Sequence, residues 1–182
     1  MMKYIVLLRG INISGKNKIS MQELKKTLED NKYQNVRTCL NSGNVILECN
    51  IDNKEAIASD IHKIIKINFQ LEIPIFVMNV SELEDILNNS PKWWGTDNKE
   101  IYDNLIFLLT PIKYEDVYNA IGSPSENIEK IKEYNNFIFW SYVSKDYKKS
   151  NWWVKTSSIN IKDKITIRTA NTLRKILQLC KK

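Results

Sequence analysis

Arg9-Gly10-Ile11-Asn12-Ile13-Ser14-Gly15-Lys16-Asn17 comes within one residue of the phosphate-cradling pattern G-x-x-x-x-G-K-[ST]. In such a loop, glycine-freed backbone N–H groups and the lysine hold phosphates, and the closing hydroxyl ligates magnesium. Asn17 stands where that hydroxyl is needed. A phosphate loop also starts its helix at the Gly-Lys itself, so that the first amides of the helix face the anion. Here the capping box Ser20-Met21-Gln22-Glu23 delays helix onset to Ser20. No strand ends in a carboxylate suited to magnesium, since the strand expected at 104–109 runs into Thr110-Pro111. These residues therefore argue against nucleotide hydrolysis and leave two readings open, a different anion site or only a turn.

Other chemistry is sparsely represented. His62 is the single histidine and lies in a helical pattern beside Ile61 and Ile64, so histidine-dependent triads and zinc sites are not expected. Cys39, Cys49 and Cys180 are widely spaced, which excludes a CxxC motif and suits a reducing compartment. No metal and no cofactor are expected. Arginine occurs only at Arg9, Arg37, Arg168 and Arg174, positions where a planar bidentate donor is wanted over a generic cation. The net charge of +6 coexists with an excess of Lys, Asn and Ile together and with lysines spread along the chain. It is weak grounds for a nucleic-acid partner. Neither a leader pattern nor an apolar run long enough to span a bilayer occurs in the 182 residues, and a cytoplasmic location is expected.

The elements that must position these residues follow from periodicity. A strand at 4–8 is followed by the Gly-containing loop and a helix over 20–31 with Met21, Leu24 and Leu28 on one face. Strands at 36–40 and 45–49 flank Asn41-Ser42-Gly43-Asn44, read as a tight hairpin around a two-residue Ser-Gly turn. That register sets Leu40 opposite Val45, Arg37 opposite Glu48, Cys49 opposite Val36 and Cys39 opposite Ile46, so Arg37 is expected to form a cross-strand ion pair. A helix over 53–67 and a strand at 73–78 complete βαββαβ, the ferredoxin-like plait. A second capping box, Ser81-Glu82-Leu83-Glu84, opens a short helix ending before Pro91. The order then repeats: strand 104–109, helix 115–121, strands 128–133 and 137–143 around an Asn135-Asn136 turn, helix 146–155, strand 165–168 and helix 172–180. The predicted fold is α+β, two consecutive ferredoxin-like subdomains (βαββαβ, alpha-beta plait) with a C-terminal helix. Domains are expected at 1–80 and 103–182, joined by a helix and connection at 81–102.

In a plait the first strand lies antiparallel beside the third, so Arg9-Gly10-Ile11-Asn12 and Asn41-Ser42-Gly43-Asn44 should emerge together. A guanidinium, the Lys16 ammonium, amide side chains and freed N–H groups would suit a carboxylate or phosphate. The alternative is that Asn12 and Asn44 merely hydrogen-bond the loops to each other. Trp93-Trp94 and Trp152-Trp153 also admit two readings. The second pair lies among Lys148, Lys149 and Lys155 and could stack bases, whereas adjacent tryptophans at a connection more often seal a seam between domains.

Leu7-Leu8-Arg9-Gly10-Ile11-Asn12 with Gly15-Lys16-Asn17-Lys18, then Asn41-Ser42-Gly43-Asn44, Pro91-Lys92-Trp93-Trp94 and Ile165-Thr166-Ile167-Arg168, closely resembles the bacterial family known as domain of unknown function 1697. The resemblance covers nearly the whole chain and implies two consecutive ferredoxin-like subdomains and no activity. It departs at Thr169, where many relatives carry Asn. The matching motifs nominate Arg9, Asn12, Lys16, Asn17, Ser42, Asn44 and Arg168 as ligand-binding residues of a shared cleft. The expected function is a cytosolic protein binding a small anionic ligand at an interdomain cleft. The alternatives are an RNA- or DNA-binding module using the Lys/Trp-rich surface, and a structural or interaction protein without a small-molecule ligand.

Overall fold

The computed structural model describes residues 1–157 and 161–182. The elements in chain order are β1 (Met2–Leu8), α1 (Met21–Asp30), β2 (Gln34–Cys39), β3 (Asn44–Cys49), α2 (Lys54–Phe69), β4 (Ile75–Asn79) and α3 (Val80–Asn88). They continue as β5 (Ile101–Leu108), α4 (Tyr114–Ile121), β6 (Glu129–Tyr134), β7 (Phe137–Val143), a 3-10 segment (Ser144–Lys149), α5 (Asn151–Thr156), β8 (Ile165–Thr169) and α6 (Ala170–Cys180). The result is a mixed α+β protein with two four-stranded antiparallel sheets, ordered β2-β3-β1-β4 and β6-β7-β5-β8. No helix among the described residues is long and apolar enough to cross a membrane.

Two compact units result, one comprising residues 1–84 with 174–182, the other residues 85–173. In the first, Leu24 and Leu28 of α1 and Ile57, Ile61, Ile64 and Ile65 of α2 pack on one face of the sheet. Tyr4, Ile5, Val6, Leu7 and Leu8 are all at most 1% exposed, so β1 is a central strand covered on both faces, as its uninterrupted apolar run requires. The last turn of α6 returns to this unit, where Lys3 Nζ donates to the Cys180 carbonyl at 2.8 Å and Arg37 Nη1 to that of Leu179 at 3.1 Å. Two cations thus meet the carbonyls that a helix leaves unsatisfied at its C-terminus.

The β2-β3 hairpin departs from its expected register. Cys39 pairs with Asn44, Thr38 with Val45 and Arg37 with Ile46, leaving a four-residue loop over 40–43 instead of a two-residue turn. The register shifts again between Gln34 and Arg37, where Asn35 adopts φ 50°. Glu48 is consequently met by Asn35 Nδ2 at 2.7 Å and Lys3 Nζ at 3.7 Å, and the expected Arg37–Glu48 pair does not form. Nor do Cys49–Val36 and Cys39–Ile46 pair, although all three cysteines are free and buried, as packing residues would be.

Two further expectations shift. Helix α3 starts at Val80 because Glu82 accepts the Asn79 backbone N–H at 2.7 Å, so Glu82 serves as the third helical residue of a cap at Asn79, not Ser81. The helix expected over 146–155 is divided at Ser150, whose extended backbone ends the 3-10 segment and whose hydroxyl accepts the Trp153 N–H at 3.0 Å to start α5. The Asn135-Asn136 turn appears as expected, with Tyr134 opposite Phe137.

Candidate functional site

Residues 10–19 form a short hairpin finger at the end of β1. The Asn12 N–H donates to the Asn17 carbonyl at 3.2 Å, the Lys16 N–H to that of Ile13 at 2.9 Å, and Ile13 and Lys16 form an isolated antiparallel bridge. Ser14 and Gly15 make the turn at φ 49° and 77°, positive at both central positions as in a type I′ hairpin. Lys16 stands exposed on the return of this finger. Helix α1 begins at Met21, capped by Ser20 Oγ, which accepts the Glu23 N–H at 3.3 Å. Two of the amides that would have to face phosphates are spent within the finger, and no helix begins at Lys16. The geometry agrees with the case against a phosphate loop.

Asn12 braces the finger. Its Nδ2 donates to the carbonyls of Ile19 and Asn41, both at 2.9 Å, and its Oδ1 accepts the Ile19 N–H at 2.9 Å. The bond to Asn41 joins the two loops directly. Asn17 Nδ2 donates to the Gly10 carbonyl at 3.0 Å. The buried Asn44 donates through Nδ2 to the Cys39 carbonyl at 2.8 Å and to Ser42 Oγ at 3.0 Å, closing the second loop on itself. Gly43 brings the loops into contact: its carbonyl accepts the Leu8 N–H at 2.8 Å. At φ 75°, a Cβ there would lie 2.7 Å from Leu8 Cβ and 3.0 Å from Ile11.

The nominated residues therefore divide by role. Asn12 joins the two loops, Asn17 closes the finger on itself and Asn44 with Ser42 closes the second loop, while Lys16 stands exposed. Arg9, half-buried, ties its N–H to the Pro74 carbonyl at 3.0 Å at the base of the finger. Arg168 belongs to the second unit, buried on β8, with Nη1 donating to Thr166 Oγ1 at 2.9 Å and the Ile167 carbonyl at 2.8 Å. Burial pushes its guanidinium down to about 10. Surface concavities among the described residues include one along α1 lined by Ser20, Gln22, Glu23, Lys25, Lys26 and Glu29, and one in the second unit beside Asp97, Asp103 and Thr169.

The family described as "Protein of unknown function (DUF1697)" matches residues 1–139, a span that holds the finger and its partner loop. The chain belongs to this family. The DUF1697 chain is similar to the conserved bacterial protein SP0830 from Streptococcus pneumoniae, with 26% identity over 97% of each chain and a TM-score of 0.83. An unknown protein from Galdieria sulphuraria aligns at 10% identity over 92% of this chain and 96% of its own, with a TM-score of 0.27. The first two RRM domains of yeast poly(U) binding protein align at 10% identity over 91% and 98%, with a TM-score of 0.24. Similarity at those last two levels carries no argument about this DUF1697 protein. None of the curated proteins matches it.

Several residues with defined roles escaped the pattern reading. Ser14-Gly15 is a two-residue turn between Ile13 and Lys16, a recognisable hairpin signal hidden by its likeness to a phosphate loop. His62 bridges α2 to the segment before β4, its Nδ1 lying 3.0 Å from the Ile73 carbonyl and its Nε2 2.8 Å from Glu72. Trp152 lies in the second unit's own core with Nε1 donating to the Gly122 carbonyl at 3.1 Å. Trp94 is buried within the same unit, edge-on to Phe139 at 5.0 Å.

Proposed function

We propose that the finger at 10–19, braced by the loop at 40–43, binds a small anionic ligand, a phosphate or carboxylate, through Lys16 with Arg9 at its base. The observation that supports this reading is the density of left-handed backbone. Gly10, Asn12, Ser14, Gly15 and Asn17 all have φ between 46° and 77°, and three of them are not glycine. Such conformations cost about 1–2 kcal/mol each for non-glycine residues, less where an Asn tolerates them. Ser14 and Gly15 serve the hairpin turn, and the left-handed Gly10, Asn12 and Asn17 fix its base, so Lys16 is carried on a preorganised loop. The amides of Asn12 and Asn17 are then braces, and charge is left to the cations.

Each unit is read as a ferredoxin-like plait, supported in the first by the order βαββαβ and in both by central first and third strands flanked by the second and fourth. The three free buried cysteines agree with a reducing, cytosolic setting. Titration calorimetry and thermal-shift screening of inorganic phosphate, nucleotides, sugar phosphates and carboxylates test the reading. A ligand should emerge whose affinity falls about 10- to 100-fold in Lys16→Ala, the loss of one charge-assisted hydrogen bond. Arg9→Ala and Arg168→Ala form separate arms. A ligand bound equally well by Lys16→Ala and Arg9→Ala would overturn the assignment.

A further inference from the structure

The three largely exposed aromatic side chains among the described residues, Tyr102, Tyr147 and Trp153 at 49%, 38% and 43%, fall in a single cluster of the second unit. The rings run in order: Tyr102 stacks on Tyr142 at 5.6 Å, Tyr142 meets Trp153 at 5.5 Å, and Trp153 meets Tyr147 at 5.5 Å with planes 86° apart. Apolar rings normally scatter singly over a surface, and their convergence marks an interaction site.

The presentation of Trp153 is built from below. Successive helical residues point about 100° apart, so burying Trp152 in the core turns Trp153 outward. The helix that carries both is held at its N-terminus by Glu129, a buried carboxylate facing the positive end of the helix dipole. Glu129 accepts the Ser125 N–H at 2.8 Å, Trp140 Nε1 at 3.2 Å, the Trp152 N–H at 3.2 Å and the Ser150 hydroxyl. Asn151 Nδ2 adds bonds to the carbonyls of Ile121 and Ser123, each at 2.9 Å. The ring thus stands on a rigid base.

Charge around the cluster is cationic at the Tyr147–Trp153 end. Lys145 and Lys148 are exposed on the 3-10 segment, and Lys148 Nζ lies 5.8 Å from the Tyr147 ring centroid. Lys149 engages Asp146 at 2.8 Å, which neutralises the single carboxylate of residues 144–157. Toward the other end, Tyr102 borders the concavity that Asp97, Lys99 and Asp103 line, so the positive field is confined to one side.

We propose that this face binds single-stranded nucleic acid, with Trp153 and Tyr147 stacking bases and Lys145 and Lys148 meeting phosphates. Aromatic faces combined with donor-only side chains are the usual equipment for unpaired strands. The near-perpendicular Trp153 and Tyr147 planes require neighbouring bases to splay, which a flexible strand allows and a stacked duplex forbids. This assignment is independent of the anion-binding reading of the first unit.

The test is fluorescence anisotropy of labelled 12-mer oligo(U) and oligo(dT) with the full chain, in low and moderate salt. Binding should weaken steeply with salt, and Lys148→Ala should lower the slope of log K against log salt by about 1. Trp153→Ala and Tyr147→Ala should each weaken binding by roughly 5- to 100-fold, with Trp153→Phe restoring most of it. Lys16→Ala should leave it unchanged, which separates this face from the finger. No binding at low salt, binding indifferent to both aromatic substitutions, or equal competition by poly-glutamate would each overturn the proposal.

Discussion

Asn12→Ala gives the most direct test of how the candidate site is built. The substitution removes two bonds to Ile19 in a partly buried setting, each contributing about 1 kcal/mol net, and an exposed bond to Asn41 contributing about half as much. It also leaves alanine at φ 55°, a left-handed conformation that Asn tolerates and that costs alanine about 1 kcal/mol more. The sum is about 3.5 kcal/mol, a large share of the roughly 5–15 kcal/mol that holds a typical domain together. Tryptophan fluorescence is the wrong probe, because Trp93, Trp94, Trp140, Trp152 and Trp153 all lie in the second unit. Urea unfolding followed by far-UV circular dichroism, with amide hydrogen exchange at β1 and β3, reports on the unit that contains the finger. Asn12→Gly should lose the hydrogen bonds but escape the backbone strain, and so destabilise less than Asn12→Ala by up to about 1 kcal/mol. A loss under about 1 kcal/mol for Asn12→Ala would refute the idea that this side chain holds the finger to its partner loop.

Two other outcomes follow from the packing. Gly43→Ala should destabilise by roughly 2–5 kcal/mol in the same urea assay, since it adds a clash with Leu8 and Ile11 to left-handed strain, whereas Gly10→Ala, with nothing within 4 Å, should cost only the strain of about 1–2 kcal/mol. Burial pushes the Cys180 thiol from its ordinary 9.0 up to about 11 and raises Cys39 and Cys49 as well. At pH 8 the Cys180 thiolate fraction should fall about a hundredfold, so a thiol reagent should react slowly with the native chain and with three thiols after denaturation. Because the folded value is the raised one, this group's contribution to stability is complete below about pH 9 and is lost as pH rises toward 11.

Much of the architecture was legible because its signals are local. The continuous apolar run of β1, the Ser20 cap and the Asn135-Asn136 turn each act within a few residues, and each appears where it was expected. The β2-β3 register was not legible, because it depends on a bulge at Asn35 and on the Asn44 amide closing a loop onto Cys39. Neither competes visibly with a Ser-Gly turn in sequence. The roles of Lys3 and Arg37 were equally hidden. Their partners are the carbonyls of Cys180 and Leu179, at the far end of the chain, and no periodicity links residues at such separations.

In the finger, the sequence pattern picked out residues that lie together in the fold but could not apportion their work. An asparagine beside glycine is consistent both with a ligand-orienting amide and with a turn brace, and backbone conformation decides between them. Asn12 and Asn17, at φ 55° and 46°, fold their amides back onto the carbonyls of Ile19, Asn41 and Gly10. Those donors are committed before any ligand arrives. If the finger binds an anion as proposed, affinity comes from the cations and stability from the amides. The two classes of substitution should therefore separate: Asn12→Ala should lower the unfolding midpoint, while Lys16→Ala, an exposed side chain, should leave it in place and act on binding alone. If Lys16→Ala instead lowers the midpoint as much as Asn12→Ala does, the lysine is part of the brace and its assignment to a ligand falls.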